Sequence, residues 1–226
     1  MSAPVLSAAA RAYLDAPLPD EQDPWRSASF AVVDLETTGL DPEADEIISF
    51  ACVPVEHGRV AVGGATSLTV RPERMPGADS IRIHGLREAD LVDAPALTVA
   101  LDSMLEALAG RILVAHAAWV EQGFLTAALR RAGVRLRGPA IDTAALAARV
   151  PPRVEHAGAA RAAPADTSPG LSHAAWGMGL PIHRPHHADG DALTTAQLFI
   201  SLATQLELRE PQTVGSLVRL SHSSRG

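Results

Sequence analysis

Cysteine, aromatic residues and long apolar stretches are scarce in this 226-residue chain, and each scarcity narrows its class. The single cysteine, Cys52, has no partner for a disulfide within the chain, which argues against a disulfide-stabilised extracellular domain. No apolar run approaches the roughly 20 residues that a membrane-spanning helix needs. Residues 1–16 are rich in alanine, but they lack a basic segment and do not look like a secretory signal. We therefore expect a cytoplasmic protein with no membrane partner.

The charge balance limits the ways in which the chain can bind nucleic acid. Lysine is absent, all 19 basic residues are arginine, and the net charge is −7. Proteins that follow a long duplex usually carry a basic face, so a broad phosphate-binding groove is not expected. A protein that grips only a strand end is compatible with this charge, because bound metal ions supply positive charge where phosphate meets the site.

Residues 30–40, FAVVDLETTGL, are the most informative stretch. An apolar run that leads into two carboxylates and a Thr-Thr-Gly turn predicts a buried strand that ends at a site. Alternation along the strand puts Asp34 and Glu36 on one face, with their Cβ atoms about 7 Å apart. Such acids repel each other and lose hydration, and Mg²⁺ or Mn²⁺ is the simplest remedy. An isolated pair more often faces solvent, so this motif needs support from elsewhere in the chain.

Hydrophobic periodicity predicts an α/β domain. The expected strands and helices occur in the order β-β-β-α-β-α-β-α-α, and the third strand is interrupted at Gly63-Gly64. This order describes a mixed five-stranded sheet, with three antiparallel strands and two parallel strands added through helical crossovers. We divide the chain into an N-terminal arm and linker, a main domain with a mobile loop at 151–170, and a polar tail: 1–27, 28–206 and 207–226.

Two further segments place acids or imidazoles at the start of a helix. Glu121 lies in a first helical turn, where the helix dipole favours a carboxylate by up to about 1 kcal/mol, although a Glu that merely supports its helix fits equally well. His186 stands five residues before Asp191, a spacing that lets an imidazole lie above a metal held by that acid. With His187 beside it, a solvated histidine cluster is the alternative.

Taken in order, these segments form a recognisable succession. They are DLETTG at 34–39, IHGL at 83–86, HAAWVE at 116–121, IDT at 141–143, and His186 with Asp191 and Ala192. The succession closely resembles the DEDDh family of 3′-5′ exonucleases, the DnaQ-like proteins that include the epsilon subunit of bacterial DNA polymerase III. The resemblance covers about residues 28–206, and its first and last motifs are specific when they occur together.

The resemblance implies a ribonuclease H-like fold that binds two divalent cations, Mg²⁺ or Mn²⁺. In that family the first pair of acids, a third acid at the position of Glu121 and the last acid bind metal, which maps onto Asp34, Glu36, Glu121 and Asp191. The histidine five residues before the last acid is the general base, which maps onto His186. Two ions about 4 Å apart activate a water and stabilise the leaving 3′ oxygen of one phosphodiester. These five residues are the candidate catalytic residues.

One junction departs from the family pattern. The family reads His-Asn-Ala-x-Phe-Asp, whereas this chain has Ala117 in place of the Asn and Glu121 in place of the Asp. The longer Glu keeps the charge, but a shift of about 1 Å in a catalytic group can cost on the order of a hundredfold in rate. We expect activity to survive with weakened or altered metal occupancy.

The same resemblance implies contacts to the terminal nucleotide from Thr37, Thr38, Gly39, Leu40 and His84. Gly39 can bring the backbone close to a ligand because it has no Cβ. For His84, a capping or packing role is equally open.

Three functions are consistent with the sequence. The leading one is a 3′-5′ exonuclease that trims single-stranded 3′ ends, DNA in preference to RNA, and releases nucleoside 5′-monophosphates, with a DNA polymerase or repair protein as a partner. The second is a catalytically weak or silent module that binds a nucleic-acid end or a polymerase. The third is an oligoribonuclease-like RNA exonuclease. The segment after residue 206 is short for the polymerase-binding extension of replicative epsilon subunits, so we expect a stand-alone nuclease or one with another partner.

Overall fold

A computed structural model describes residues 6–153 and 170–222 of the chain. The strands are β1 (Ser29–Thr37), β2 (Ile47–Glu56), β3 (Arg59–Val60), β4 (Thr66–Thr69), β5 (Ile112–Ala115) and β6 (Ala140–Asp142). The α-helices are α1 (Ala8–Asp15), α2 (Ala78–His84), α3 (Glu88–Leu91), α4 (Leu97–Leu108), α5 (Trp119–Arg131), α6 (Thr143–Ala147), α7 (Leu171–Gly177), α8 (Ala188–Glu207) and α9 (Val214–His222).

The predicted mixed sheet is confirmed. Its order is β3-β2-β1-β5-β6, and β4 also pairs with β2. Strand β2 pairs antiparallel with β1, β3 and β4. On the other side of β1, the β1–β5 and β5–β6 pairs are parallel. The predicted third strand is divided into β3 and β4 by a 3₁₀ turn at Val62–Gly64, so one edge position holds two short strands. Glycine weakens a strand interior, which explains the break at this place.

Strand β1 is central, and its two faces belong to two hydrophobic cores. Ala31, Val33 and Leu35 pack in a core shared with α1, α4 and α5. Phe30 and Val32 pack in the other core, which α8 covers. Because side chains alternate along a strand, Asp34 and Glu36 continue the row of Phe30 and Val32 on the α8 face.

Helix α8 approaches this face closely at its N-terminal end because its buried residues there are small. Ala188, Ala192 and Ala196 are all buried. Farther along the helix, Phe199 packs edge-on against Phe30, with ring centroids 4.8 Å apart. The first turn of α8 therefore lies next to the end of β1.

Both ends of the described chain pack on the main domain. Tyr13 of α1 is buried, and its hydroxyl accepts a hydrogen bond from the Arg137 N–H at 2.8 Å. The segment after residue 206 was predicted to be a polar tail, and this was wrong for its local structure. It contains α9, whose Val214 and Leu217 are buried in the same core as the residues of α8. The division at residues 27 and 206 stays a prediction.

Two other expectations concern the single thiol and the mobile loop. Cys52 is a free and fully buried thiol, and burial raises its pKa to about 12. The predicted loop at 151–170 lies, except for residues 151–153 and 170, outside the described residues. Within the described ranges, no helix combines the length and apolar character needed to cross a membrane.

Candidate active site

Three carboxylates from two elements converge at the end of β1. Asp34 and Glu36 come from β1, and Asp191 comes from the first turn of α8. One oxygen from each side chain can be chosen so that all three lie within 4.8 Å of one another. Carboxylate oxygens are the ligands that Mg²⁺ and Mn²⁺ prefer, and this group of acids can share a cation. The convergence expected from the sequence is thus present in the geometry.

Burial and mutual repulsion raise the pKa values of these acids. The pKa of Asp34 lies well above its usual range because of burial, and Glu121, Asp191 and Glu36 add to the shift. Burial and Asp191 raise the pKa of Glu36 to about 7, although His186 opposes the shift. Every charged group that shifts the pKa of Asp34 is another carboxylate. Ionising all of these acids at once is therefore electrostatically unfavourable. A divalent cation relieves that repulsion.

Glu121 reaches the same edge of the sheet from α5. It lies on the buried face of that helix, one turn before Phe124 and Leu125, and only 5% of the residue is exposed. Burial raises its pKa to about 8, and Asp142 and Glu36 add to the shift. Its Oε2 has no hydrogen-bond partner among the described residues. Glu121 lies outside the group joined within 4.8 Å, so it is a buried acid beside that group rather than a fourth member of it.

A strained turn precedes α8. Arg184 and His186 have left-handed backbones, with φ of 34° and 59°. The turn lies directly on the first turn of α8, because a Cβ on Gly190 would come within 2.3 Å of the His183 carbonyl oxygen. The Arg184 guanidinium pairs with Asp189 at 2.9 Å and ties the turn to the helix. Such strain persists only where surrounding contacts enforce it.

This turn brings His186 to the acids. Its backbone N–H donates to Asp191 Oδ2 at 2.8 Å, and this bond opposes the rise in the pKa of Asp191 that burial causes. The ring is close enough to lower the pKa of both Glu36 and Asp191. The residue is exposed to solvent. The sequence spacing of His186 and Asp191 therefore corresponds to a direct contact.

The loop after β1 is closed by its own side chains. The Thr38 hydroxyl donates to Asp45 Oδ1 at 3.1 Å and accepts from the Glu46 N–H at 3.0 Å. The Thr37 hydroxyl donates to the carbonyl of Gly39. A Cβ at Gly39 would lie 2.4 Å from an Asp45 oxygen, so the absence of a side chain here admits the Asp45 carboxylate.

These contacts determine which of the predicted substrate-binding residues have a side chain free to meet a ligand. The hydroxyls of Thr37 and Thr38 are engaged within the loop, whereas the Leu40 side chain is 74% exposed.

His84 is held by the protein on both ring nitrogens. Its Nδ1 accepts from the Leu86 N–H at 3.0 Å, and its Nε2 lies 2.8 Å from the Ser80 hydroxyl. Because Ser80 itself donates to the Thr37 carbonyl at 2.8 Å, the imidazole donates from Nε2. Burial and nearby His187 lower the pKa of His84, which favours this neutral form. Both ring nitrogens of His84 are thus engaged within the protein, and its contact with a nucleotide stays a prediction.

The junction after β5 depends on residues that the sequence analysis placed in motifs without giving each a role. Ala117 has a left-handed backbone with φ of 61°, and its N–H donates to Asp142 Oδ1 at 3.0 Å. The same oxygen accepts from Ala144 N and so caps α6. His116 Nδ1 lies 3.0 Å from the hydroxyl of buried Thr143. An Asp before a short helix was the available signal, since Asp is a preferred N-cap residue.

Comparison with known proteins identifies the family. A profile described as an exonuclease, RNase_T, matches residues 31–199. A DNA polymerase III subunit epsilon-like protein of Rhodobacter capsulatus is 33% identical over 198 residues, which are 87% of this chain and 27% of that protein. The DNA polymerase III epsilon subunit of Aquifex aeolicus is 29% identical over 191 residues, covering 82% of this chain and 85% of that protein. A PolC-type DNA polymerase III of Thermotoga petrophila is 30% identical, but this chain spans only 12% of its length.

Solved structures share the fold. Exonuclease X in complex with 5′ overhanging duplex DNA has a TM-score of 0.61 at 22% identity, covering 85% of this chain and 99% of that one. Exonuclease I of E. coli with a dT13 oligonucleotide has a TM-score of 0.66 at 15% identity, covering 80% and 42%. The fold is thus that of ribonuclease H-like exonucleases. With a matching profile over most of its length and DnaQ-like relatives, the chain belongs to the exonuclease family.

Proposed function

We propose that this protein is a metal-dependent 3′-5′ exonuclease that hydrolyses the terminal phosphodiester of single-stranded nucleic acid, DNA in preference to RNA, and releases nucleoside 5′-monophosphates. The observation that carries the proposal is the convergence of Asp34, Glu36 and Asp191 within 4.8 Å at the end of β1. A purely structural role does not require these acids, since apolar residues would fill the same place without electrostatic repulsion.

In this proposal Asp34, Glu36 and Asp191 hold two divalent cations, Mg²⁺ or Mn²⁺, and Glu121 contributes from its buried position. When bound, such cations polarise the phosphate and acidify a water. The acids supply oxygen ligands, and their raised pKa values mean that cation binding displaces protons near neutral pH. The unpartnered Oε2 of Glu121 fits the same role, because a buried carboxylate oxygen without a partner costs free energy until it gains one.

His186 is the proposed general base. It is exposed beside the acids, its backbone is fixed to Asp191, and an imidazole there can accept a proton from an attacking water. The backbone of Gly39 and the exposed side chain of Leu40 are the proposed contacts to the terminal nucleotide. We assign Thr37, Thr38 and His84 to shaping that surface, because their polar groups are engaged within the protein.

The relatives extend the proposal to partners and location. Several are named as DNA polymerase III subunits or PolC, and this chain covers only 27% and 12% of two of them. We propose a DNA polymerase or a repair protein as partner, and a cytoplasmic location in keeping with the buried free thiol of Cys52.

The test is degradation of an oligonucleotide labelled at its 5′ end, with Mg²⁺ and Mn²⁺ titrated separately. The wild type should produce a ladder that shortens from the 3′ end, together with nucleoside 5′-monophosphates. Asp34→Asn and Asp191→Asn should each lower the rate by roughly a thousandfold, since cation binding supplies several kcal/mol of transition-state stabilisation. Exposed Asp93→Asn is the matched control and should leave the rate unchanged. A wild-type protein that leaves DNA and RNA intact with both metals would refute the proposal.

A silent binding module is the second candidate, and the position of Glu121 outside the tight acid group favours it. It predicts that the protein binds a 3′ end without turnover and that His186→Ala leaves binding unchanged. Restoring the family residue with Glu121→Asp separates the two, because a gain in turnover identifies an enzyme limited by this side chain. Di- to pentanucleotide RNA as an additional substrate tests the oligoribonuclease-like alternative.

A further inference from the structure

Trp119, the first residue of α5, is a large aromatic side chain exposed to solvent. It is 66% exposed, whereas Trp25 is fully buried and Trp176 is partly buried. Aromatic side chains usually contribute to a core, and an exposed one at the rim of a site is typical of a binding surface. Trp119 belongs to neither of the two buried cores and is not one of the acids of the candidate site.

The backbone puts Trp119 at the same edge of the sheet as the acids. Strand β5 runs parallel to β1, with Val114 opposite Val32, so both strands end at that edge. Helix α5 begins at Trp119, and buried Glu121 follows two residues later. The residue therefore lies above the end of the sheet, close to the start of the helix that supplies Glu121.

Gly123 shows which neighbour this side of α5 has. A Cβ on Gly123 would lie 2.8 Å from Pro42 Cγ, so this face of the helix packs on the loop after β1. Trp119 is four residues earlier and lies on the same face, one turn closer to the helix start. That loop also carries Leu40, which is 74% exposed. Two exposed apolar side chains, Trp119 and Leu40, thus lie on neighbouring segments at the edge of the sheet where the acids meet.

We infer that Trp119 is a stacking platform for a nucleobase of the unpaired strand, close to the bond that is cut. The inference rests on the proposed function and names how that site holds its substrate. A chain with a net charge of −7 gains little from general attraction to phosphate, so the strand needs another source of affinity. Stacking of a base on an aromatic ring contributes about 1–3 kcal/mol and tolerates any base.

The first test separates binding from chemistry in the exonuclease assay. Trp119→Ala should raise KM by roughly 5- to 150-fold with little change in kcat, which is the fold-change that about 1–3 kcal/mol of lost stacking produces. Trp119→Phe should restore most of the affinity. Val99→Ala, at an exposed apolar position of α4, is the control and should leave KM unchanged. Abasic residues near the 3′ end of the substrate should raise the KM of the wild type and abolish the difference in KM between the wild type and Trp119→Ala.

The second test needs no turnover. In a Trp176→Phe variant, with Ca²⁺ replacing the catalytic metal, the remaining tryptophans are exposed Trp119 and buried Trp25. Single-stranded oligo-dT should quench the fluorescence, and a matching abasic strand should not. Turnover with an unchanged KM in Trp119→Ala, and no quenching, would overturn the inference while the exonuclease stands. Quenching without turnover would refute the exonuclease and leave the platform, and absence of both would refute both.

Discussion

Two junctions bring acids to the same edge of the sheet, and they are built differently. After β1, Thr38 and Asp45 satisfy each other, and Gly39 stands where a side chain would collide with Asp45. After β5, a non-glycine residue, Ala117, has a left-handed backbone, and the buried Oε2 of Glu121 has no partner in the described protein. The polar groups of the first junction are hydrogen-bonded to each other, whereas the second junction contains a strained backbone and a buried carboxylate oxygen without a partner among the described residues. Unfavourable features of this kind persist where the rest of the structure compensates, and they concentrate at functional sites.

The largest expected effect comes from neutralising the unpaired carboxylate of the second junction. Glu121 has a pKa of about 8 in the folded protein, above its ordinary value of 4.5. Between those values the folded state keeps a proton that the unfolded state has lost, so stability falls as the pH rises through this window. Metal-free Glu121→Gln should therefore be more stable than the wild type by about 2–4 kcal/mol at pH 9, and by less at pH 5.5. Urea denaturation at several pH values measures the difference.

Glu106→Gln, the same change at an exposed position of α4, is the control for this prediction. Its effect on stability should be small and nearly independent of pH. If Glu121→Gln changed the free energy of unfolding no more than the control at every pH, the carboxylate of Glu121 would not be an electrostatic cost to the second junction. Addition of Mn²⁺ should stabilise the wild type more than Glu121→Gln if this carboxylate meets a cation.

An intermediate effect is expected at the satisfied junction. Thr38→Val keeps the side-chain shape but removes the donor to Asp45 and the acceptor for Glu46 N–H. Leaving these groups without partners should lower the free energy of unfolding by about 1–2 kcal/mol, since a lost partner costs more than a net hydrogen bond. Thermal and urea unfolding measure the change, and Thr98→Val at an exposed position of α4 serves as the control. Equal effects of the two substitutions would show that the loop does not depend on these bonds.

The smallest effect should come from relieving the backbone strain of the second junction. Asn tolerates the left-handed region better than Ala, so Ala117→Asn should stabilise the fold by about 0.5–1 kcal/mol. Ala117→Val should do the opposite, because a β-branched residue is least suited to that conformation. Denaturation midpoints with an unchanged m-value test the pair. Opposite signs are required, and destabilisation by both would indicate that packing rather than φ governs this position.

Periodicity and motif order were enough to predict the sheet, the crossovers and the convergence of Asp34, Glu36 and Asp191. A strand fixes which residues share a face, and the order of elements fixes which strand ends meet. The same reasoning failed for the last segment, because the residues of α9 read as polar until Val214 and Leu217 are seen to pack on the core. It also left the role of His84 open, because the hydrogen bonds of its ring to Ser80 and Leu86 depend on where α2 ends and on the rotamer of the imidazole.

The sequence by itself determined the family, the architecture and the acids, since these follow from local patterns and spacing. The tertiary structure alone decided what each acid experiences. Burial and neighbouring charges set the pKa of Glu36 at about 7 and that of Glu121 at about 8, and Asp142, 25 residues from Ala117, holds the strained turn before α5. Desolvation and long-range hydrogen bonds depend on which distant segments pack together, and a linear pattern of residues does not specify those distances.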